Sequence, residues 1–197
     1  WPERPVKLVV PFAPGGSTDL VARPWAEKLT QEFGQQFIVE NRGGASGTIG
    51  AEAVAKAAPD GYTFLLGTST ALVTLPMVRK VPYDPKSFVP VGRVGDAITG
   101  FVVNPSTGLK TFQEMIDYAR KNPGKLAFGS SGTATAPHLR LELLKLATGI
   151  DVLHVPYRGG ADTLNDILTG AIQMMNESSS IPHVRAGKLV LLNVNHP

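Results

Sequence analysis

The feature that most constrains the fold is a repeated alternation of strand-like and helix-like segments. An apolar run predicts a strand at residues 6–10, and the apolar spacing that follows predicts a helix at 17–33. The pattern continues with a strand at 37–40, a helix at 48–57 and a strand at 63–66. Alternating strands and helices predict a parallel sheet with helices packed on it, so the fold class is α/β.

The same alternation returns in the second half of the chain. Helices are predicted at 111–121, 137–147 and 161–169, with strands at 126–129 and 151–155 between them. Two successive α/β layers therefore predict two domains.

The segment between these layers predicts a crossing between domains. Its sequence, "VPYDPKSFVPVGRVGDAITGFVVNPSTG", carries four prolines and little helical periodicity. We place the boundary near residues 100–104, which gives a first domain at 1–101 and a second at 102–197.

Composition excludes several classes of protein. With 197 residues, 43% of them hydrophobic and 18% charged, the chain can bury a core and is not disordered. The net charge of +3 is spread along the chain without a basic cluster, so no nucleic-acid partner is expected. The absence of cysteine excludes disulfides and thiolate chemistry. No apolar run reaches the roughly 18 residues of a membrane-spanning helix.

Two loops of small residues predict a ligand site. "PFAPGGSTDL" and "FGSSGTATAPHL" each connect a strand to a long helix. Such loops present backbone N–H groups and the positive end of a helix dipole, which together bind anions. Two loops in two domains suggest a ligand held between them. The alternatives are an ordinary connection with Ser17 as helix N-cap, a serine-rich turn without a ligand, and Asp19 as a dipole-compensating acid that points aside from the ligand.

Motifs for catalysis, metals and cofactors are weak. "GASGTIG" does not match the dinucleotide-binding glycine pattern, and no phosphate-binding P-loop occurs. Ser130 or Ser131 could be paired with His138 as nucleophile and base, but neither a nucleophile elbow nor an orienting acid accompanies them. The four histidines, at 138, 154, 183 and 196, lack metal-ligand spacing. We therefore predict no catalytic residue, no metal and no cofactor.

Five separated blocks give the chain a resemblance to a known family. "PFAPGGSTD", "VENRGGASGTIGAEAVAKAAPDGYTFLLGT", "GSSGTATAPHLRLELLK", "HVPYRGG" and "PHVRAGKL" occur in this order. In these blocks the chain resembles the Bug family, the extracytoplasmic solute-binding receptors of tripartite tricarboxylate transporters.

The resemblance implies a fold, a location and partners. The fold is a two-domain periplasmic-binding-protein clamshell of the Venus-flytrap type II. It closes on a small organic carboxylate and delivers it to membrane transporter subunits. The protein would be periplasmic after removal of a signal peptide, and a monomer when full length.

The resemblance also implies the ligand-binding residues. Backbone amides and ordered waters at the first loop meet the carboxylate, and loops from later in the chain complete the site. The residues expected at the ligand are Phe12, Ala13, Pro14, Gly15, Gly16, Ser17, Thr18, Gly67, Thr68, Ser69, Ser130, Ser131, Gly132, Thr133, Ala134 and Thr135. The sequence itself adds His138 and Tyr157: Tyr157 ends a strand on the same side as the serine-rich loop and is expected to line the site, with a structural turn as the alternative. We expect no Arg or Lys on the carboxylate, and we expect Gly16→Val to block its approach because the loop needs close backbone access and a positive φ.

The chain departs from the family pattern in two places. Family members continue past "RAGKL" and return to the first domain, so that domain is expected to be incomplete in a chain ending at "VNHP". The segment "IQMMNESSSIPHV" is shorter and more polar than its family counterpart, with Asn176 and Glu177 where an Asp is common. Two other functions stay open: a ligand-binding input to a sensor kinase, and an acyl-transfer hydrolase.

Overall fold

A computed structural model describes residues 1–195 of the chain, so His196 and the predicted end of the second domain at Pro197 lie outside it. Backbone contacts divide the chain into two compact units, Trp1–Gly95 and a second unit that starts at Asp96. The domain limits at 101 and 102 stay a prediction. Each unit is described below by itself.

The first unit is a parallel three-stranded sheet with helices between its strands. Strand β1 lies between β2 and β3, in the order β2-β1-β3. The predicted strands and helices are confirmed, with changes of one or two residues at their ends. The elements are β1 (Val6–Val10), α1 (Ser17–Phe33), β2 (Phe37–Asn41), α2 (Thr48–Ala55), β3 (Thr63–Leu65) and the short α3 (Leu75–Val78), with single helical turns at Ala45–Gly47, Thr70–Thr74 and Pro85–Ser87.

Helix α1 packs on this sheet through its smallest residues. Ala22 and Ala26, one turn apart, are buried against apolar side chains of β1 and β2. The helix passes through Pro24 without ending and stops at Gly34, whose φ of 66° is the left-handed conformation typical of a glycine that ends a helix. This packing fixes the N-terminal end of α1 at the carboxyl end of β1.

The second unit is a mixed five-stranded sheet with the strand order β6-β5-β7-β4-β8. Strand β5 is parallel to β6 and β7, whereas β4 is antiparallel to β7 and β8. Its elements are β4 (Val102–Val103), α4 (Phe112–Lys121), β5 (Ala127–Ser130), α5 (Ala136–Thr148), β6 (Leu153–Pro156), α6 (Gly160–Thr169), β7 (Met174–Met175), α7 (Ile181–Arg185) and β8 (Val190–Leu191), with single turns at Pro105–Thr107 and Ser178–Ser180. The predicted helices and strands are confirmed, while β4, β7 and β8 were not predicted.

The shared design predicted for the two halves is confirmed at the level of topology. In each unit a central strand, β1 or β5, is followed by a helix, a strand on one side, a second helix and a strand on the other side. The loops after β1 and β5 therefore emerge at the carboxyl edge of their own sheets, each between two parallel neighbouring strands. In open α/β sheets this edge is where ligands bind.

Candidate functional site

The first candidate loop connects β1 to α1 at residues 11–16. Its left-handed residue is Gly15, with a φ of 78°. Gly16 is the N-cap of α1 and has an extended conformation, with φ −77° and ψ 170°. The alternative with Ser17 as N-cap is therefore wrong, and so is the expectation of a positive φ at Gly16. No side chain caps this helix end, so its first N–H groups are not bonded to a capping side chain.

The buried carboxylate of Asp19 stabilises this loop through hydrogen bonds. Asp19 is only 2% exposed, and one of its oxygens accepts hydrogen bonds from the Gly15 N–H and from Arg23 Nε, both at 2.9 Å. Its other oxygen accepts from Arg23 Nη2 at 3.1 Å and from Asn41 Nδ2 at 2.9 Å. The Asn41 amide also donates to the Phe12 carbonyl oxygen at 3.1 Å. No role at this site was predicted for Asn41 from the sequence.

The charge of Asp19 is balanced within the structure. Burial alone would raise the pKa of its carboxyl group, but the hydrogen bonds from Arg23, Gly15 and Asn41 outweigh burial and lower the pKa. The Gly15 N–H donates its hydrogen bond to the Asp19 carboxylate, whereas the Gly16 N–H makes only a long hydrogen bond of 3.5 Å to the Ala13 carbonyl oxygen. The amides at the start of α1 remain at the positive end of the helix dipole.

Glycines of the "GASGTIG" segment and its neighbours let α2 approach the same loop. A Cβ atom at Gly50 would lie 2.7 Å from the Pro11 Cα and 2.8 Å from the Arg42 carbonyl oxygen. A Cβ at Gly43 would lie 3.0 Å from the Ala13 backbone nitrogen. These contacts give the glycines a packing role, which explains their presence without a bound dinucleotide.

The loop after β3 brings a third group of predicted residues to this edge. Residues 67–69 follow β3, which pairs directly with β1. The Thr68 hydroxyl is buried and has no hydrogen-bond partner among the residues that the structure describes. A buried hydroxyl without a partner is costly, so this one is suited to a polar group of a ligand or to a water molecule.

The second candidate loop consists of residues 130–135. Most of its backbone N–H groups donate hydrogen bonds to other groups of the chain. The Gly132 N–H donates to Ser130 Oγ at 3.2 Å, and the Ala134 N–H donates to His138 Nδ1 at 3.0 Å. Thr135 Oγ1 donates to the Gly132 carbonyl at 2.6 Å. The Ser131 N–H and hydroxyl both donate to the carboxylate of Glu177. Few of these amides are left for a ligand.

Two stacked histidines lie beneath this loop. The rings of His138 and His154 lie 4.0 Å apart with an interplanar angle of 30°, and His154 Nε2 lies 2.7 Å from Ser130 Oγ. Burial and the neighbouring His138 lower the pKa of His154 to about 4, and burial also lowers the pKa of His138. Both rings are therefore neutral at pH 7. Ser130 is fully buried, and within residues 1–195 no hydrogen bond joins His154 to a carboxylate, while Glu142 Oε1 lies 3.7 Å from His138 Nε2.

The histidine pair predicts a loss of stability in mild acid. A lowered pKa means that the unfolded chain binds the proton more tightly than the folded chain. The stability that the neutral His154 ring contributes is complete above its ordinary pKa of 6.5 and is lost as the pH falls towards about 4. Urea unfolding at about pH 7.5 and about pH 4.5 should show this fall. The fall should be smaller in His154→Gln, and an equal fall in both proteins would contradict the assignment.

Tyr157 lies close to the second loop through its backbone and directs its hydroxyl elsewhere. Its N–H donates to the Ser130 carbonyl at 2.8 Å, while its hydroxyl donates to Asp166 at 2.6 Å. Burial and the bond to Asp166 raise the pKa of this hydroxyl to about 12. Any contact of Tyr157 with a ligand would therefore involve its ring.

The fold and the two sheet edges are those of an α/β solute-binding protein. Residues 21–196 match the family model of the tripartite tricarboxylate transporter family receptor. Protein BugT of Bordetella pertussis is 38% identical to the chain over 98% of the chain's length. The chain spans 61% of BugT.

Two solved structures show the same fold. Rpa4515 of R. palustris, whose structure contains adipate, superimposes with a TM-score of 0.94 and 38% identity over 98% of this chain and 66% of that protein. The periplasmic binding protein BugD superimposes with a TM-score of 0.92 and 36% identity over 100% of this chain and 67% of that protein. The chain belongs to the tripartite tricarboxylate transporter receptor family, which includes the Bug proteins, and the resemblance found in the sequence is confirmed. This family is a receptor family, not a class of enzymes.

Proposed function

We propose that the chain forms the ligand-binding part of a periplasmic receptor for a small organic carboxylate. The receptor passes its ligand to the membrane subunits of a tripartite tricarboxylate transporter, has no catalytic activity, and acts as a monomer after removal of a signal peptide. Rpa4515, a relative of known structure, holds adipate, which supports a carboxylate as the ligand. Within residues 1–195 no helix has the length and apolar character needed to cross a bilayer.

The observation that carries this proposal is the arrangement of the first loop. The Asp19 carboxylate accepts a hydrogen bond from the Gly15 N–H, Arg23 balances its charge, and Asn41 donates a further hydrogen bond, so the loop is held in place before α1. Gly15 is exposed and carries no side chain, so a ligand can approach the backbone at this end of the helix closely. The unpartnered Thr68 hydroxyl at the same edge supplies a further neutral donor.

In this proposal the ligand carboxylate is recognised without a cationic side chain. Arg23 is committed to Asp19, and Arg79 donates to the Ala45 carbonyl and the Thr48 hydroxyl. Neutral donors and a helix dipole, worth roughly half a charge, suit a ligand that must be released again. The predicted ligand-binding residues around both loops remain part of the proposal, with the first loop as the main contact of the carboxylate.

The test is Gly16→Val, with adipate as the probe in calorimetric titration. Valine adopts the extended backbone conformation of Gly16 without strain, and its branched side chain would cover the amides. Because Gly16 is buried, thermal unfolding must show that the variant is folded before its affinity is compared. We expect the affinity for adipate to fall by about tenfold or more. Gly92→Val is the matched control, because a Cβ at Gly92 meets nothing within 4 Å. Unchanged affinity in Gly16→Val would refute the assignment of the first loop.

A further inference from the structure

The turn after β2 in the first unit has a strained backbone. Ala45 and Ser46, which follow each other in this turn, both have left-handed conformations, with φ of 48° and 57°. Residues other than glycine rarely adopt this conformation, because their Cβ atom comes too close to the backbone. Such residues persist only where the surrounding structure stabilises them, and they are frequent at ligand sites. The contacts of this turn therefore show what it positions.

The turn packs directly against the first candidate loop. A Cβ atom at Gly47 would lie 3.3 Å from Cζ of the Phe12 ring and 3.5 Å from the Pro11 carbonyl oxygen. Just before the turn, a Cβ at Gly43 would lie 3.0 Å from the Ala13 backbone nitrogen. Because the backbone of a glycine meets the loop at both places, a shift of the turn would also shift the loop.

Arg79, at the end of α3, stabilises this turn through hydrogen bonds. Its Nη2 donates to the Ala45 carbonyl oxygen at 2.7 Å and to Thr48 Oγ1 at 3.0 Å. The buried Thr48 hydroxyl donates to the same Ala45 carbonyl oxygen at 2.7 Å. One guanidinium group thus bonds to a left-handed residue of the turn and to the first residue of α2. Hydrogen bonds from a charged donor are stronger than those from a neutral donor.

The helical segment that ends at Arg79 begins at the loop after β3. The Leu72 N–H donates to the Thr68 carbonyl oxygen at 3.2 Å, and the turn Thr70–Thr74 passes directly into α3. The same turn contacts the turn Ala45–Gly47. Arg79 therefore connects the segment that carries the Thr68 hydroxyl with the turn that packs on the first loop.

We propose that Arg79 is a positioning residue of the carboxylate site: it fixes the strained turn after β2 and, through that turn, the backbone of the first loop. This inference rests on the proposed function and adds to it a residue that acts without touching the ligand. All the groups involved belong to the unit Trp1–Gly95. Without the guanidinium group, the turn leaves its left-handed conformation and the loop loses its support.

The experiment measures the affinity for adipate by calorimetric titration, at a temperature where thermal unfolding shows every variant to be folded. Arg79→Met keeps the aliphatic part of the side chain and removes both hydrogen bonds, so the affinity should fall by about fivefold or more. Lys80→Met is the matched control, because it removes the same charge from the next residue, which is also exposed. This control should change the affinity by less than about twofold. An unchanged affinity in Arg79→Met would overturn the inference.

Ala45→Gly tests whether Arg79 acts through the turn. Ala45 is exposed, so its methyl group can be removed with little loss of packing, and glycine adopts a left-handed φ without strain. In the double variant Arg79→Met with Ala45→Gly, the affinity should return to within about twofold of that of the unchanged protein. An affinity that stays low would overturn the inference, since Arg79 would then act by another route.

Hydrogen exchange separates this inference from the function on which it rests. The Gly47 N–H donates to the Gly44 carbonyl oxygen at 3.0 Å across the turn, and it should exchange about tenfold faster in Arg79→Met without any ligand. An equal rate in both proteins would overturn the role of Arg79 whether or not adipate binds. Binding of neither adipate nor succinate to the unchanged protein would contradict the proposed function, while faster exchange at Gly47 would still support the contact between Arg79 and the turn.

Discussion

Replacing Asp19 with alanine is expected to lower the free energy of unfolding by about 2–4 kcal/mol. The carboxylate is buried and accepts hydrogen bonds from the Gly15 N–H, Arg23 and Asn41. Its removal leaves the Gly15 and Asn41 donors without their acceptor. Because the same bonds hold the first loop, binding of a carboxylate probe such as adipate should be lost together with stability. Urea unfolding and calorimetry measure the two effects.

Glu52→Ala is the matched control for Asp19→Ala. Glu52 also pairs with a cation one turn away, Lys56, but its side chain is 31% exposed and that of Lys56 is 70% exposed. An exposed pair of this kind contributes about 0.5 kcal/mol or less. A loss below about 1 kcal/mol in Asp19→Ala would show that the loop does not depend on this carboxylate.

Replacing Gly50 with alanine is expected to cost about 3 kcal/mol of stability. The added methyl group would lie 2.7 Å from the Pro11 Cα and 2.8 Å from the Arg42 carbonyl oxygen, both of which are backbone atoms that cannot rotate away. Either α2 or the loop that begins at Pro11 must shift. Chemical denaturation measures this loss of stability. Calorimetry should also show weaker binding of adipate, because the loop shifts.

Gly92→Ala separates this steric effect from the general effect of removing a glycine. A Cβ at Gly92 has open space around it, so the change should be neutral or slightly stabilising through the unfolded state. Gly50→Ala behaving like Gly92→Ala would mean that α2 does not pack on the loop as closely as the structure has it.

Long periodic segments of the sequence were sufficient to predict most elements of the fold. The strand at 6–10 and the helix at 17–33 coincide with β1 and α1, because a buried central strand and an amphipathic helix each leave a clear periodic pattern. Strands β4, β7 and β8 have only two residues each, which is too short to show a period. Their place in the sheet depends on partners distant in the sequence.

The sequence was sufficient to predict the two loops of the candidate site. It was not sufficient to predict the polar side chains that stabilise these loops by hydrogen bonds. The loops after β1 and β5 are visible as runs of small residues between a strand and a helix. Asp19 and Asn41, or Ser131 and Glu177, meet only after the sheet brings different strand ends together. Single polar residues in a sequence carry no local sign of such contacts.

We propose that the protein binds a small molecule by recognising the negative charge and the shape of its carboxylate group. A thermal-shift comparison of acids with their neutral amides tests this most directly. The set is adipate, succinate, 6-hydroxyhexanoate and 4-hydroxybutyrate, each beside its amide. A ligand at 100 times its Kd stabilises a protein by about 2.7 kcal/mol, which is a measurable rise in Tm. We predict that at least one acid raises Tm and that its amide does not. No rise with any acid, or an equal rise with its amide, would contradict the account.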